Sequence, residues 1–246
     1  MMRLDRFLCE TGFGTRSQVK ELLKKGKVLV NGQTVSRPEQ KVDETRDQVV
    51  CAGTQAVYAR RTWLMLHKPA GVVSATEDAR EKTVLELLPK ERRRGLFPVG
   101  RLDKDTEGLL FLTDDGELAH RLLSPRRHVD KTYYARVQGT VTGEHVRRFA
   151  EGVSIGDEKP CLPAVLEILE AGEESEILLT IREGRFHQVK RMFEAVGCRV
   201  TYLKRRSMGG VPLDPTLRPG EWRSLRPEEL SRLEEAGAEA IKECTV

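Results

Sequence analysis

The segment "GRLDKDTEGLLFLTDDG", residues 100–116, places an apolar run between two acidic bends. The run LLFLT has the length and the aliphatic and aromatic composition of a buried β-strand. The second bend, DDG, precedes ELAHRLL, in which leucines recur at helical spacing. This succession predicts a chain that mixes strands and helices. The segment also raises a chemical question, because it holds five carboxylates, at Asp103, Asp105, Glu107, Asp114 and Asp115.

The remainder of the chain also mixes β-prone and helical patterns, without a regular βαβ repeat. The other β-prone segments are WLMLHKPAGVVSAT (63–76), KTYYARVQG (131–139), AVLEIL (164–169) and EILLTI (176–181). Helical patterns occupy ELAHRLLS (117–124), GEHVRRFAEG (143–152), FHQVKRMFEAVG (186–197) and PEELSRLEEAGAEAIKE (227–243). They predict an α+β fold with a mixed, mostly antiparallel sheet and flanking helices.

Composition restricts the class of protein. Of 246 residues, 33% are charged and 39% are hydrophobic, as in proteins with an ordinary core. No apolar run approaches the ~18 residues of a membrane span, and the N-terminal MMRLDRFLCE is charged where a secretory signal is apolar. The cysteines are odd in number and none lies at C-x-x-C spacing, which argues against zinc and disulfides. We therefore expect a cytoplasmic protein with no membrane partner, metal or cofactor.

Positive charge is concentrated at the N-terminus, where residues 1–37 hold eight Lys or Arg against three acids. Such an excess is typical of a module that contacts a polyanion. Residues 52–62, AGTQAVYARRT, lack periodicity and separate this module from the strands that follow. The sequence therefore predicts a basic domain at 1–51, a linker at 52–62 and a larger domain at 63–246.

The basic domain carries clear local signals. TRSQVKELLKKG opens with Thr15 as a helix N-cap and Gln18 three residues later, a capping-box pattern. KVLVNGQTV contains two short β-prone runs around Asn-Gly, a strong hairpin signal. These signals predict a small helical and hairpin domain. The lysines that share one stripe, either a solvated face or a surface for a polyanion, are Lys20, Lys24 and Lys27.

Calcium is one candidate ligand for the acids of residues 100–116. Asp103, Asp105 and Glu107 match positions one, three and five of an EF-hand loop, and Asp114 matches position twelve. Position twelve normally requires the longer, bidentate Glu. The preceding RRRGLFPVG cannot be the entering helix, because Gly and Pro interrupt it. We therefore expect no calcium site.

Structural roles explain four of the five acids. Asp114 is predicted to be the N-cap of the next helix, with Asp115 in its first turn. Asp105 and Glu107 are predicted to be solvated loop acids. Asp103 lies where the chain enters the apolar strand, and a carboxylate at the edge of a core needs a cationic partner to stay ionised. The residues alone leave Asp103 as either a structural ion-pair partner or a reactive group.

Four motifs, in order, resemble the RsuA family of pseudouridine synthases: HKPAGVVS (67–74), GRLDKDTEGLLFLTDDG (100–116), KTYYARVQG (131–139) and EGRFHQVKRMFEAVG (183–197). Residues 2–50 resemble the RNA-binding domain named after ribosomal protein S-four. The resemblance implies that Asp103 is the catalytic aspartate, that Tyr133 stacks on the target base, and that Lys190 pairs with Asp103. The residues that it implies for RNA binding are Arg101, Arg185, His187, Gln188 and Arg191, with Arg3, Arg16, Lys20, Lys24, Lys25 and Lys27 in the N-terminal domain.

The implied reaction breaks the C1′–N1 bond of a uridine in RNA, turns the uracil and rejoins it through C5. The resemblance leaves open whether Asp103 attacks C1′ of the ribose or C6 of the base. Lys190 would keep Asp103 ionised, and we assign removal of the C5 proton to the Tyr133 hydroxyl. The target base must leave its stack, and the basic segment at 181–210 is predicted to form the RNA-facing rim.

Two positions depart from the family pattern or are ambiguous. His67 stands where the family has Asn, and Tyr134 lies beside Tyr133, although the K-x-Y spacing from Lys131 favours Tyr133. The HQVK form of residues 187–190 resembles the enzymes that act on small-subunit ribosomal RNA. We therefore expect a monomer whose partner is that RNA or its assembly intermediate. The alternatives are a synthase for large-subunit ribosomal RNA and a non-catalytic RNA-binding assembly factor.

Overall fold

A computed structural model describes residues 1–44, 46–56 and 61–238 of the chain. The chain divides into two compact units, Met1–Arg60 and Arg61–Val246. Within the described ranges, no helix combines the length and the apolar character that a membrane crossing requires.

The N-terminal unit combines two helices with short strands. The helices are α1 (Leu4–Glu10) and α2 (Arg16–Lys24), and the strands are β1 (Met2–Arg3), β2 (Val28–Val30), β3 (Gln33–Thr34), β4 (Lys41–Val42), β5 (Val49–Cys51) and β6 (Thr54–Ala56). β1 pairs with β4, and the others form a sheet in the order β3-β2-β5-β6. Apolar side chains of both helices pack on these strands in one core.

The predicted local signals of this unit are confirmed. The Thr15 side chain accepts a hydrogen bond from the Gln18 amide, and the Gln18 side chain accepts one from the Thr15 amide. Asn31 and Gly32 both have positive φ, at 51° and 80°, as a two-residue hairpin turn requires. The linker begins later than predicted, because Thr54–Ala56 pairs with β5 through a tight hairpin. Residues 57–60, also part of that prediction, lie outside the described residues.

The C-terminal unit is built on one large sheet. Its strands are β7 (Trp63–Lys68), β8 (Phe97–Pro98), β9 (Glu107–Thr113), β10 (Lys131–Gln138), β11 (Val165–Glu170), β12 (Glu174–Ile181), β13 (Arg199–Met208), β14 (Val211–Pro212) and β15 (Trp222–Ser224). Its α-helices are α3 (Gly116–Leu123), α4 (Gly143–Glu151), α5 (Gln188–Glu194) and α6 (Pro227–Ala238), and 3₁₀ turns lie at Val84–Leu87, Lys90–Arg92 and Pro125–Arg127. The last residues of the predicted C-terminal helix, 239–243, are outside the described part.

The strand order is β11-β12-β10-β13-β9-β7-β15, with β8 and β14 attached to β9 and β13. Every pairing in this sheet is antiparallel except that of β13 with β9. The predicted α+β class with a mostly antiparallel sheet is therefore confirmed.

Both faces of the sheet are covered, which explains the continuous apolar run of β7. Successive strand residues point to opposite faces. Leu64 and Leu66 belong to the core packed by α4 and α5, whereas Trp63 and Met65 belong to the core packed by α3 and α6. A strand buried on both sides has a fixed position, so the loops that leave its ends are held on a rigid support.

The central strand β13 was not predicted, because its sequence RVTYLKRRSM is too highly charged to show a strand pattern. It runs parallel to β9, with Arg205 beside Gly108. Gly108 has φ +106°, and a Cβ there would lie 2.3 Å from the Arg205 carbonyl oxygen. Only glycine allows this approach, which brings the buried Arg205 against residues 108–109 of the acidic segment.

Three acids of residues 100–116 differ from their predicted roles. The N-cap of α3 is Asp115, whose side chain accepts a hydrogen bond from the Leu118 amide, because the helix begins one residue later than predicted. Asp114 instead accepts a bond of 2.7 Å from the Thr62 amide, ahead of β7. Glu107 is the first residue of β9 and accepts a hydrogen bond of 2.7 Å from the Tyr202 hydroxyl.

Candidate active site

Asp103 lies in the loop between β8 and β9, at the edge of a cavity of about 640 Å³. The loop opens at Gly100, which has φ +77°, and a Cβ at this glycine would lie 2.9 Å from Leu123. A turn follows in which the Thr106 amide donates to the Asp103 carbonyl over 3.1 Å. The Asp103 side chain is partly exposed to the cavity, so its carboxylate is accessible to a ligand.

Lys68, the last residue of β7, holds this loop by hydrogen bonds to its backbone. Its ammonium is fully buried. It donates hydrogen bonds of 2.8–3.3 Å to the carbonyl oxygens of Pro69, Asp103, Lys104 and Thr106. A buried charge is costly unless it is hydrogen-bonded, and here the backbone of the Asp103 loop supplies the acceptors. Lys68 therefore determines the path of the loop.

The HKPAGVVS segment holds the same loop at two further points. The Ser74 hydroxyl donates to the Leu102 carbonyl over 2.9 Å and accepts from the Leu102 amide over 3.0 Å. The Gly71 amide donates to the Lys104 carbonyl over 2.7 Å. Neither Lys68 nor Ser74 was predicted to have a role at the site. A lysine that ends an otherwise apolar strand was the available signal for Lys68.

A cation lies beside Asp103, as the resemblance implies, but it has a second partner. Lys190 Nζ is 3.3 Å from Asp103 Oδ2 and 2.7 Å from Asp105 Oδ1. Asp105, predicted to be a solvated acid, is 72% exposed and hydrogen-bonded to this lysine. Burial acts to lower the pKa of Lys190, but the hydrogen bond to Asp105 and the charge of Asp103 raise it above its usual value. Lys190 therefore stays charged at neutral pH.

The two adjacent tyrosines of β10 point to opposite faces of the sheet. Tyr133 is 7% exposed and lines the cavity that also holds Asp103. Tyr134 makes an edge contact with Tyr202, with ring centroids 6.1 Å apart, and does not line that cavity. The strand alternation therefore places Tyr133 beside the candidate site.

Two buried cations form part of the cavity wall and were not assigned by the sequence. Arg205 is 2% exposed, and its Nε donates to the Leu109 carbonyl over 2.7 Å. Among the described residues, its Nη2 has no hydrogen-bond partner. Lys131 is also buried and donates to the Val129 carbonyl; burial and the charge of Arg205 lower the pKa of Lys131 to about 8. The wall beside Tyr133 is therefore positively charged.

The residues predicted to contact RNA around the cavity divide into two groups. Arg101 is exposed at the cavity and makes no hydrogen bond within the described part of the chain, and His187 also lines the opening. Arg185 and Arg191 use their donors internally instead. Their acceptors are the carbonyls of Ile155, Lys159, Pro160 and Phe186 and the carboxylates of Asp157 and Glu183.

Gln188 also has an internal role. It is buried, accepts a hydrogen bond from the Arg185 amide and donates one to Glu183. Within the predicted basic rim, Arg205 is buried, and Arg185 and Arg191 are ion-paired within the protein. Their contact with RNA stays a prediction. Charges that sequence counting treats as free are neutralised by acids distant along the chain.

His67, the departure from the family pattern, is buried at the end of β7. Its Nδ1 lies 2.7 Å from the Leu217 carbonyl, so this nitrogen carries the hydrogen and donates it. Burial lowers the pKa of His67, which favours the neutral ring. His67 does not line the cavity, so its difference from Asn concerns the support of the sheet.

In the N-terminal unit, the predicted RNA-binding cations also differ among themselves. Arg3 forms a bidentate pair with Asp5, with distances of 3.0 and 2.8 Å, so its guanidinium is occupied. Like Arg3, the other cations of this unit's predicted RNA-binding set are exposed: Arg16, Lys20, Lys24, Lys25 and Lys27. Of these, Lys24 lies 3.8 Å from Glu21.

Comparisons with known proteins agree with these features. A family model described as RNA pseudouridylate synthase matches residues 62–195, and the S4 domain model matches residues 2–49. An uncharacterized RNA pseudouridine synthase of Bacillus subtilis is 47% identical over 96% of this chain and 100% of its own length. The ribosomal small subunit pseudouridine synthases A of Vibrio cholerae and Escherichia coli are 40% and 39% identical, each over 94% of this chain and 99% of their own length.

A solved structure described as a crystal structure of pseudouridylate synthase aligns with a TM-score of 0.68 and 36% identity, over 95% of this chain and all of that one. The similarity thus spans both units and includes the cavity with its aspartate loop. The chain belongs to the RNA pseudouridylate synthase family and carries an S4 domain at its N-terminus.

Proposed function

We propose that this enzyme converts one uridine of small-subunit ribosomal RNA to pseudouridine, with Asp103 as the nucleophile. The observation that carries the proposal is the Asp103 carboxylate, 3.3 Å from the Lys190 ammonium, in one cavity with Tyr133. Near full-length relatives named for the small ribosomal subunit support the choice of RNA. The HQVK form of residues 187–190 supports the same choice.

In this proposal, Asp103 attacks the flipped nucleotide at C1′ or C6, and the C1′–N1 bond breaks with its electron pair on N1. The uracil turns and C5 bonds to C1′. On the C1′ route this bond displaces the Asp103 oxygen from C1′, and on the C6 route Asp103 leaves C6 afterwards. The Tyr133 oxygen accepts the proton that leaves C5, and N1 gains one, so that the product is an isomer of the substrate. The Lys190 ammonium faces the Asp103 carboxylate, and the charged wall of Lys131 and Arg205 favours the electron-rich uracil.

The proposed enzyme acts as a cytoplasmic monomer on the RNA, free or in an assembling particle. Asp103, Tyr133 and Lys190 come from one chain and one unit, so the site needs no second copy. Exposed lysines of α2, Lys20 and Lys24, and those that follow the helix, Lys25 and Lys27, supply phosphate contacts. Such contacts give affinity with little sequence choice.

The test of this function is carbodiimide and primer-extension mapping of ribosomal RNA from cells with and without the gene. We expect one stop in the small-subunit RNA to disappear with the gene and to return with the wild-type copy. A stop lost from the large-subunit RNA would identify that RNA as the substrate instead. No change in either RNA would contradict the proposed function.

Removal of the Tyr133 hydroxyl is expected to slow the reaction by about 10²–10⁴-fold, the usual contribution of a positioned proton acceptor. Tyr133→Phe keeps the ring, so RNA affinity should change little. Single-turnover release of tritium from RNA labelled at uridine C5 measures this step. Tyr134→Phe is the matched control, because its ring lies on the opposite face against Tyr202. Equal rates for the two variants would exclude the Tyr133 hydroxyl.

Turnover is expected to fall as the pH rises through about 8, because burial lowers the pKa of Lys68 to about 8 against the opposing charges of Asp105 and Asp103. The protonated form holds three hydrogens for the loop carbonyls and a full charge; the neutral amine holds two hydrogens and no charge. A rate profile from about pH 6 to pH 10 measures the effect. The Lys131→Met variant should show the same fall in turnover at alkaline pH. If the fall is absent from this variant, the titrating group is Lys131 and not Lys68.

A further inference from the structure

Phe186 is an aromatic side chain on the surface of the cavity. The large hydrophobic side chains that are exposed among the described residues are Met1, Leu123, Val165, Leu169 and Phe186. Phe186 is the aromatic member of this group, is 75% exposed, and lines the cavity that holds Asp103. Leu123 lines the same cavity, so apolar surface is concentrated at its opening.

Hydrogen bonds on both sides of Phe186 hold the backbone of its loop, so the ring stays exposed. On one side, Arg185 donates to the Lys159 and Pro160 carbonyls over 2.6 and 2.7 Å. On the other side, Arg191 donates to the Phe186 carbonyl over 3.2 Å. The backbone around the ring is thus held on both sides, and the loop presents the ring instead of burying it.

Phe186 is also stacked on His187. The ring centroids are 3.8 Å apart and the planes differ by 19°. His187 has φ +47°, a left-handed conformation that few residues other than glycine adopt. This backbone geometry turns the imidazole so that its Nε2 lies 3.6 Å from Asp103 Oδ1. The two stacked rings therefore form one block. The His187 ring of this block lies beside Asp103, and the outer face of the Phe186 ring is exposed.

We propose that the Phe186–His187 block is a stacking platform for an RNA base that flanks the target uridine. This inference rests on the proposed function, because it assumes that RNA enters this cavity. Tyr133, at 7% exposure, lies deeper in the same cavity, where the flipped uracil is held. Phe186 lies at the opening, where the neighbouring nucleotide must remain.

The chemistry of the opening fits a nucleotide. A nucleobase is flat, and every base offers a π-face to an aromatic ring. The exposed Arg101 guanidinium lines the same cavity and is available for a phosphate or a base. Stacking on Phe186 would replace the stacking that the neighbouring base loses when the uridine leaves the helix. The platform also bears on catalysis, since a base bound there fixes the strand relative to Asp103.

The primary test is the affinity of purified full-length variants for an in vitro transcript of the organism's own small-subunit ribosomal RNA. Phe186→Ala is expected to bind about tenfold more weakly, within the range for loss of one stacked base. Phe186→Trp should bind as the wild type does, because it retains a flat ring. Leu169→Ala is the matched control: Leu169 is an exposed apolar residue on β11, outside the cavity, and its loss should change nothing.

A second measurement separates stacking from a structural effect. A short single-stranded RNA with 2-aminopurine beside a uridine should lose fluorescence on binding the wild type and Phe186→Trp, but not Phe186→Ala. Unchanged transcript affinity of Phe186→Ala, or equally weak binding by both Phe186 variants, would overturn the platform; the former result would favour a protein partner for this ring.

The outcome is independent of the test of function. If the wild type forms pseudouridine while Phe186→Ala binds RNA normally, the platform fails and the proposed function stands. If the wild type forms no pseudouridine while Phe186→Ala loses affinity and Phe186→Trp does not, the proposed function fails and the RNA contact stands.

Discussion

Asp103→Asn is expected to abolish pseudouridine formation, with a loss of about 10⁴-fold or more, while RNA affinity stays within about twofold of the wild type. The amide has the shape of the carboxylate but no ionised oxygen, so it cannot form a bond to C1′ or C6. Lys190 remains beside it, held by Asp105, so the cavity should keep its form. Single-turnover tritium release from uridine C5 and equilibrium binding of the same RNA measure the two quantities separately.

Asp105→Asn is the matched control for this experiment. Asp105 is two residues away, has the shorter contact with Lys190, and is far more exposed than Asp103. If the reaction needs the Asp103 carboxylate itself, and not only two negative charges near Lys190, the rate of Asp105→Asn should fall by less than about tenfold. Equal losses in the two variants would mean that the acids act through Lys190 alone.

A different pattern of losses would change the class of protein. An active Asp103→Asn variant, together with loss of function when Lys20, Lys24 and Lys27 are replaced by Glu, would indicate a non-catalytic RNA-binding factor. The catalytic proposal predicts the reverse order of importance. Exposed lysines supply affinity that depends on salt, so their replacement should weaken binding and leave the rate with saturating RNA nearly unchanged.

Local signals made much of the fold predictable from the sequence. The capping box at Thr15 and the Asn31-Gly32 hairpin each depend on residues a few positions apart, and both are confirmed. The K-x-Y spacing from Lys131 favoured Tyr133 over Tyr134, and in the structure Tyr133 lines the cavity because neighbouring strand residues point to opposite faces. Where the determining contact is local, the spacing of residues is sufficient.

The contacts that the sequence did not show involve residues whose partners are distant along the chain. β13 is highly charged, yet it lies at the centre of the sheet because Gly108 admits Arg205. Arg191 was assigned to RNA, but Asp157, on a separate loop, takes its guanidinium. A sequence shows the charge of a residue and not the acid that pairs with it, because that pairing is a tertiary contact.

Lys68→Met is expected to lower the rate by about 100-fold or more and the free energy of unfolding by about 2–4 kcal/mol. The methionine has a similar volume but leaves the loop carbonyls without their buried donor. The Asp103 loop should then relax, and a displacement of the Asp103 carboxylate by a fraction of an ångström is enough to slow a positioned reaction. Urea unfolding and single-turnover tritium release measure the two effects.

The two effects of Lys68→Met can be separated by temperature, because a purely global destabilisation slows the reaction only where the variant is partly unfolded. At low temperature, with the variant fully folded by near-ultraviolet circular dichroism, the loss of rate should persist if Lys68 positions the Asp103 loop. Recovery of the wild-type rate there would restrict Lys68 to stability. Lys82→Met removes an exposed lysine from the segment that pairs with Val73 and should alter neither quantity. Within the described residues, Lys68 donates hydrogen bonds only to backbone carbonyls. Loss of rate in the folded variant would therefore show that catalysis depends on the conformation of the loop as well as on the Asp103 carboxylate.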